Sequence, residues 1–190
     1  MVAVLVALLP VTAFVLILFL FDSFKLVPQS ALIRALASGA AAAGVALILH
    51  AWLFRVTGLD TRTFARNVAP FTEETLKAAC LLYPLRRRQL GFLVDAAIIG
   101  FAVGAGFALV ENVEYLHALG GPRLLVWIAR GFGTALMHAS TTAIVALTAK
   151  TLIDRYPARG LVVMLPGWAV AVPGHSGRSR SGGTAAYRSC

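Results

Sequence analysis

All four glutamates of this chain, Glu73, Glu74, Glu111 and Glu114, fall in or at the edges of apolar blocks, and His138 lies in the middle of another. An ionisable side chain at the centre of a bilayer costs about 2.5–3.5 kcal/mol on insertion scales, so such groups persist mainly where they face a cavity and perform a task. Carboxylates and an imidazole can supply a general base, a general acid and metal donors. The chemistry to expect is proton transfer to and from water, with a bound divalent ion as a candidate helper.

These residues form three groups. The first is Pro70-Phe71-Thr72-Glu73-Glu74-Thr75-Leu76-Lys77. Two acidic residues in a first helical turn favour the positive end of the helix, and Glu73 can pair with Lys77 four residues on. The alternative is a carboxylate pair in which one member is a base and the other binds a metal or holds the water. The second group, Phe107-Ala-Leu-Val-Glu111-Asn112-Val-Glu114-Tyr115, follows Ala96, Gly100, Gly104 and Ala108. Small residues spaced by four share one helix face and permit close helix approach, and that face continues to Asn112. Glu114, Tyr115 and His117 read as an interfacial cluster at a helix end. The third group is His138-Ala-Ser-Thr141-Thr142, whose hydroxyls share the face of a histidine that is either an interhelical hydrogen-bond partner or a metal ligand.

The elements that must position these groups are membrane helices. Of 190 residues, 59% are hydrophobic and 13% charged, and the mean hydropathy is +0.82, well outside the range of soluble domains. The formal charge of +9 belongs to arginines and lysines scattered in loops, and no nucleic-acid partner is expected. Two cysteines exclude a disulfide framework and a four-thiolate zinc site. Apolar blocks run over 2–21, 36–54, 71–85, 94–117, 124–149 and 160–172, the third short enough to be a half-buried helix and the last weak. Residues 59–68 read equally as a short interfacial helix or a polar loop. The fold class is all-α: a polytopic transmembrane bundle of about five to six spans without β-sheet, in one domain over 1–173. A flexible Gly/Ser/Arg-rich tail covers 174–190. Basic residues concentrate in alternate loops, which puts the Arg86–Arg88 loop in the cytoplasm and the N-terminus outside.

Helix rise tests whether the groups can meet. Measured from the Arg86–Arg88 loop at about 1.5 Å per residue, Glu74 lies about 18–20 Å up its helix and Glu111 about 27–30 Å up the next. His138 lies about 18 Å above Lys150, level with Glu74 and within about 10 Å of Glu111. Asp95 fails the same test, about 24 Å from Glu111, and is expected to face the arginine loop.

The three groups in this order resemble the PrsW family of intramembrane proteases. The family pattern of Glu-Glu-x-x-Lys, Phe-x-x-x-Glu-Asn and a later histidine motif is matched by Glu73-Glu74-Thr-Leu-Lys77, Phe107-Ala-Leu-Val-Glu111-Asn112 and His138-Ala-Ser-Thr-Thr142. The resemblance covers roughly residues 70–149 and extends to the related CAAX prenyl protease and bacteriocin-processing group. It implies an endopeptidase of the bacterial plasma membrane acting on membrane-anchored proteins such as anti-sigma factors. Catalysis would rest on Glu73, Glu74, Glu111 and His138, with Lys77, Asn112 and Thr142 in support. Glu74, Glu111 and His138 would be candidate ligands of Zn2+ or another divalent metal. The signature H-E-x-x-H is absent, so those ligands come from different helices. Family members often carry a further histidine motif on a last span; here that place reads Pro173-Gly-His175-Ser, and His175 reads as a tail residue.

The expected reaction is therefore peptide hydrolysis in a hydrated cavity inside the membrane, one of Glu73 and Glu74 being the base, Glu111 and His138 binding a Zn-like ion or polarising the carbonyl, and Asn112 hydrogen-bonding the oxyanion or the substrate backbone. The rival from another class is a small proton-coupled transporter or channel with a Glu/His relay. Transporters often show internal repeats, and none is visible.

Overall fold

The computed structural model describes residues 9–14, 16–17, 27–86, 90–119, 125 and 128–156; the expected weak span over 160–172, His175 and the tail lie outside the described residues. Helices joined by short links make up the described residues, with no strand among them. Among the described residues, helical stretches at 9–14 and 16–17 are followed by five α-helices: α1 (Gln29–Thr57), α2 (Thr61–Asn67), α3 (Ala69–Arg86), α4 (Leu93–Leu119) and α5 (Ala135–Arg155), the last entered through a π-helical turn at Ala129–Thr134. Among the described residues, three helices are long and apolar enough to cross a membrane: α1, α4, and the π-turn with α5.

Local chemistry sets the boundaries. Gly58 ends α1 in the left-handed conformation (φ 60°), its N–H reaching Phe54 O at 3.3 Å, and a side chain there would be strained. Asp60 then starts α2 by accepting from Arg62 N at 3.1 Å and Thr63 N at 3.0 Å. Residues 59–68 thus contain a short helix, and Phe64 docks it edge-on against Phe54 and His50 of α1. Phe92 precedes α4 and donates its N–H to Asp95 Oδ2 at 2.8 Å, half of a capping box. Asp95 thus bonds the start of its own helix; Arg87 and Arg88, in the loop it is expected to face, lie outside the described residues.

Helix α4 is the central element. In its most apolar stretch 61% of residues are buried, against 33% for α1 and for the π-turn with α5, which present Val45, Ile48, Trp52 and Ile144 outward as lipid-facing groups must be. Glycines let the backbones touch. A Cβ on Gly106 would strike Leu36 O, one on Gly39 would strike Val103 O, and one on Gly104 would strike His138 O. On Gly100 it would lie 2.7 Å from Thr142 O. The face read from Ala96, Gly100, Gly104 and Ala108 is therefore the seam with α5. Gly100 lies by Thr142 and Ala146, and Gly104 by His138 and Ala139, so α4 and α5 run antiparallel. Helix α1 packs on the other side of α4, joined by buried Ala42, Ala43 and Ala46 around Phe107.

The fifth apolar block differs from the regular helix expected over 124–149. Its entry widens into a π turn containing Gly131 and Gly133, residues that hold an α-helix weakly, and regular α-helix resumes at Ala135, only three residues before His138.

Candidate active site

Three helices contribute to one polar chain. Lys77 of α3 donates to Glu74 Oε1 at 2.8 Å, three residues back on its own helix. The same Nζ donates to His138 Nδ1 of α5 at 2.6 Å. On the other side of the ring, His138 Nε2 lies 2.8 Å from Glu111 Oε2 of α4. Glu74 Oε1 is also 4.0 Å from His138 Nδ1. An ammonium has three donors and no acceptor, so Nδ1 must be the accepting nitrogen. The hydrogen then sits on Nε2 and is donated to Glu111. One tautomer is fixed by what stands on each side of the ring.

The seam explains how Glu111 reaches His138. Gly104 is level with the His138 backbone, and Glu111 is seven residues further along, about 10 Å of rise. Side chains lean toward the N-terminus of their own helix. Because α4 and α5 are antiparallel, Glu111 leans down and His138 leans up, and the gap closes.

Lys77 is fully buried, and Phe107 forms its floor, with Nζ 4.1 Å from the ring centroid. The Phe107 ring also lies 5.3 Å from the His138 ring. The helix-internal pairing considered for Glu73 and Lys77 is made by Glu74, at the three-residue spacing. Asn112, next to Glu111 in the sequence, is fully buried. The Thr142 hydroxyl donates to His138 O at 2.7 Å and Thr141 to Met137 O at 2.8 Å, so both hydroxyls serve the backbone of α5 rather than the imidazole.

Glu111 also faces a cavity of about 550 Å³ between α1, α2, α3 and α4. Glu73 and Glu114 share its wall, together with Phe107, Phe54, Phe64 and a series of alanines. His50 of α1, which the sequence did not single out, is on that wall too; its Nε2 is 2.6 Å from Thr72 Oγ1. The signal available was a histidine near the end of an apolar block, but a lone one carries little weight without the cavity. Glu73 and Glu74 thus part company: one on the cavity, the other on Lys77.

The candidate metal ligands meet a specific test. Among the described residues no three His, Cys, Asp or Glu side chains stand together as a cage. The position between Glu74 and His138 that a cation would take is held by the Lys77 ammonium. As they stand these donors do not fit a divalent ion.

No curated protein and no solved structure matches the chain. The model of the PrsW-protease family, described as "PrsW family intramembrane metalloprotease", matches residues 27–177, extending beyond the 70–149 region to take in α1 and His175. With its membrane-spanning helices and the Glu-Glu, Glu-Asn and His motifs inside the matched range, the chain belongs to the PrsW family of intramembrane metalloproteases.

Proposed function

We propose that this membrane protease hydrolyses peptide bonds of membrane-anchored proteins of the bacterial plasma membrane, anti-sigma-factor-like proteins among them, with Glu111 as the base. The observation that carries this reading is the chain Glu74–Lys77–His138–Glu111, which ends in a carboxylate on the wall of a roughly 550 Å³ cavity. Such a volume is of the size that takes a ligand-sized segment. Its alanine and phenylalanine walls suit an apolar stretch of substrate.

In the reaction, water attacks the scissile carbonyl carbon while Glu111 takes one of its protons. The Nε2–H of His138, no longer held by an anionic acceptor, is the donor at hand for the oxyanion. The C–N bond then breaks as the proton on Glu111 passes to the leaving amine. Lys77 keeps His138 in the required tautomer, Glu74 holds Lys77, and Glu73 lies on the same wall, within the substrate's reach. The family is described as metalloproteases, and Zn2+ or another divalent ion held by Glu74, Glu111 and His138 would have to displace Lys77; hydrolysis as written rests on side chains alone.

The test is cleavage of a single-span reporter by purified protein, with Glu111→Gln and His138→Ala compared with the parent and metal content measured on the same sample. Loss of cleavage in both variants, with expression and helix content kept, is the expected result. Full activity in both ends the proposal.

A further inference from the structure

A second cavity, of about 310 Å³, lies at the opposite end of the bundle, between the N-terminal ends of α1 and α4 and the C-terminal end of α3. Asp95 on its wall is about 24 Å of helix away from Glu111, so the cavity is separate from the active site. Its walls are mostly apolar, with Ala35, Ile99, Val103 and Tyr83, and carry two opposite charges, Arg34 and Asp95.

Asp95 is 6% exposed. Its Oδ2 accepts from Phe92 N–H, whereas Oδ1 is buried without a hydrogen-bond partner among the described residues. A buried carboxylate oxygen left in this way is costly. Arg34 is exposed and makes no ion pair with Asp95, although both line the one cavity. Two unlike charges that share a cavity without meeting leave room for a molecule carrying both complements. A guanidinium fork suits a phosphate, and a free carboxylate oxygen suits an N–H-bearing ammonium. The apolar walls suit the start of an acyl chain, and the site lies at a bundle end, where helices meet the headgroup region.

We propose that this cavity binds an amine-headed zwitterionic phospholipid, phosphatidylethanolamine in chemistry, with its phosphate on Arg34 and its ammonium on Asp95 Oδ1. The site is a lipid site rather than a second substrate site, and it does not depend on the assignment of the catalytic base.

Native mass spectrometry of the full chain in detergent, titrated with dioleoyl phosphatidylethanolamine, phosphatidylcholine and phosphatidylglycerol, tests it. The amine-headed lipid is expected to bind at the lowest concentration. Arg34→Gln and Asp95→Asn should each raise its half-saturation concentration about tenfold. Asp95→Asn keeps an oxygen for the Phe92 N–H, and Arg34 is exposed, with no hydrogen bond among the described residues, so a fold defect in one variant leaves the other as the test. Phosphatidylcholine, which has no ammonium N–H, should be indifferent to Asp95→Asn. Equal or tighter binding of phosphatidylglycerol, unchanged binding in both variants, or displacement of the lipid by free phosphoethanolamine would each overturn the assignment.

Discussion

Lys77 and His138, 61 residues apart in sequence and on different helices, are joined by a 2.6 Å hydrogen bond buried in the bundle. This bond gives the imidazole its orientation, because the only thing an ammonium can do with a ring nitrogen is donate to it. Replacing Lys77 with Met keeps much of the volume but leaves the half-buried Glu74 carboxylate and the buried His138 Nδ1 without their donor. A loss of about 3 kcal/mol in stability is expected. Thermal unfolding in detergent measures it, and reporter cleavage should fall more steeply than the folded fraction.

Glu73, Glu74 and Glu111 are separable by the same reporter. Glu111→Gln should lower the cleavage rate by about 10²–10⁴-fold, the usual value of a general base. Glu73→Gln, on the same cavity wall, should act mainly on the reporter concentration needed for half-maximal rate. Glu74→Gln should resemble the Lys77 variant in stability. A Glu73→Gln protein with normal affinity and no turnover would move the base from Glu111 to Glu73.

The glycine seam offers a contrast within one residue type. Gly104→Ala drives a methyl group into the His138 carbonyl, and overpacking of this sort costs about 1–3 kcal/mol. It should also part Glu111 from His138 and depress cleavage. Gly44, in the interior of α1, has open space where its Cβ would go, and Gly44→Ala should stabilise by up to about 1 kcal/mol through helix propensity. Unfolding curves of the two variants, run side by side, check both signs.

Asp60 gives a pH dependence outside the membrane-spanning helices. The Thr63 hydroxyl, followed by the Thr63 and Arg62 backbone N–H groups, holds its carboxyl below the ordinary value of 3.8. A depressed folded-state value means that the cap's contribution is fully present above the ordinary value and is lost as pH falls through the lower one. Chemical shifts of the α2 backbone should therefore move toward coil below about pH 3.8. Asp60→Asn, which caps without titrating, should remove that dependence.

Much of this arrangement was legible in the residues themselves. Small residues at spacing four predicted a close helix contact along one face of α4, though not that α5 is the partner, and helix rise put His138 level with Glu74. The remaining offset to Glu111 is closed by the lean of two side chains on antiparallel helices, a direction that sequence spacing does not carry. Position alone also could not part Glu73 from Glu74, since adjacent residues on a helix point about 100° apart and only the neighbours decide which faces the cavity. Phe107 was visible as a motif residue but not as the floor beneath an ammonium. His50 and the paired charges Arg34 and Asp95 gained meaning only from cavities that three separate helices enclose.

The alanines along the larger cavity have a practical corollary. Ala51 of α1 and Ala65 of α2 each present a single methyl group to that chamber, from helices other than the α4 that carries Glu111. Bulk added on those two helices narrows the choice of guest while the α4–α5 seam that joins Glu111 to His138 is left as it is, so selectivity in this scaffold is adjustable by carpentry on the facing wall.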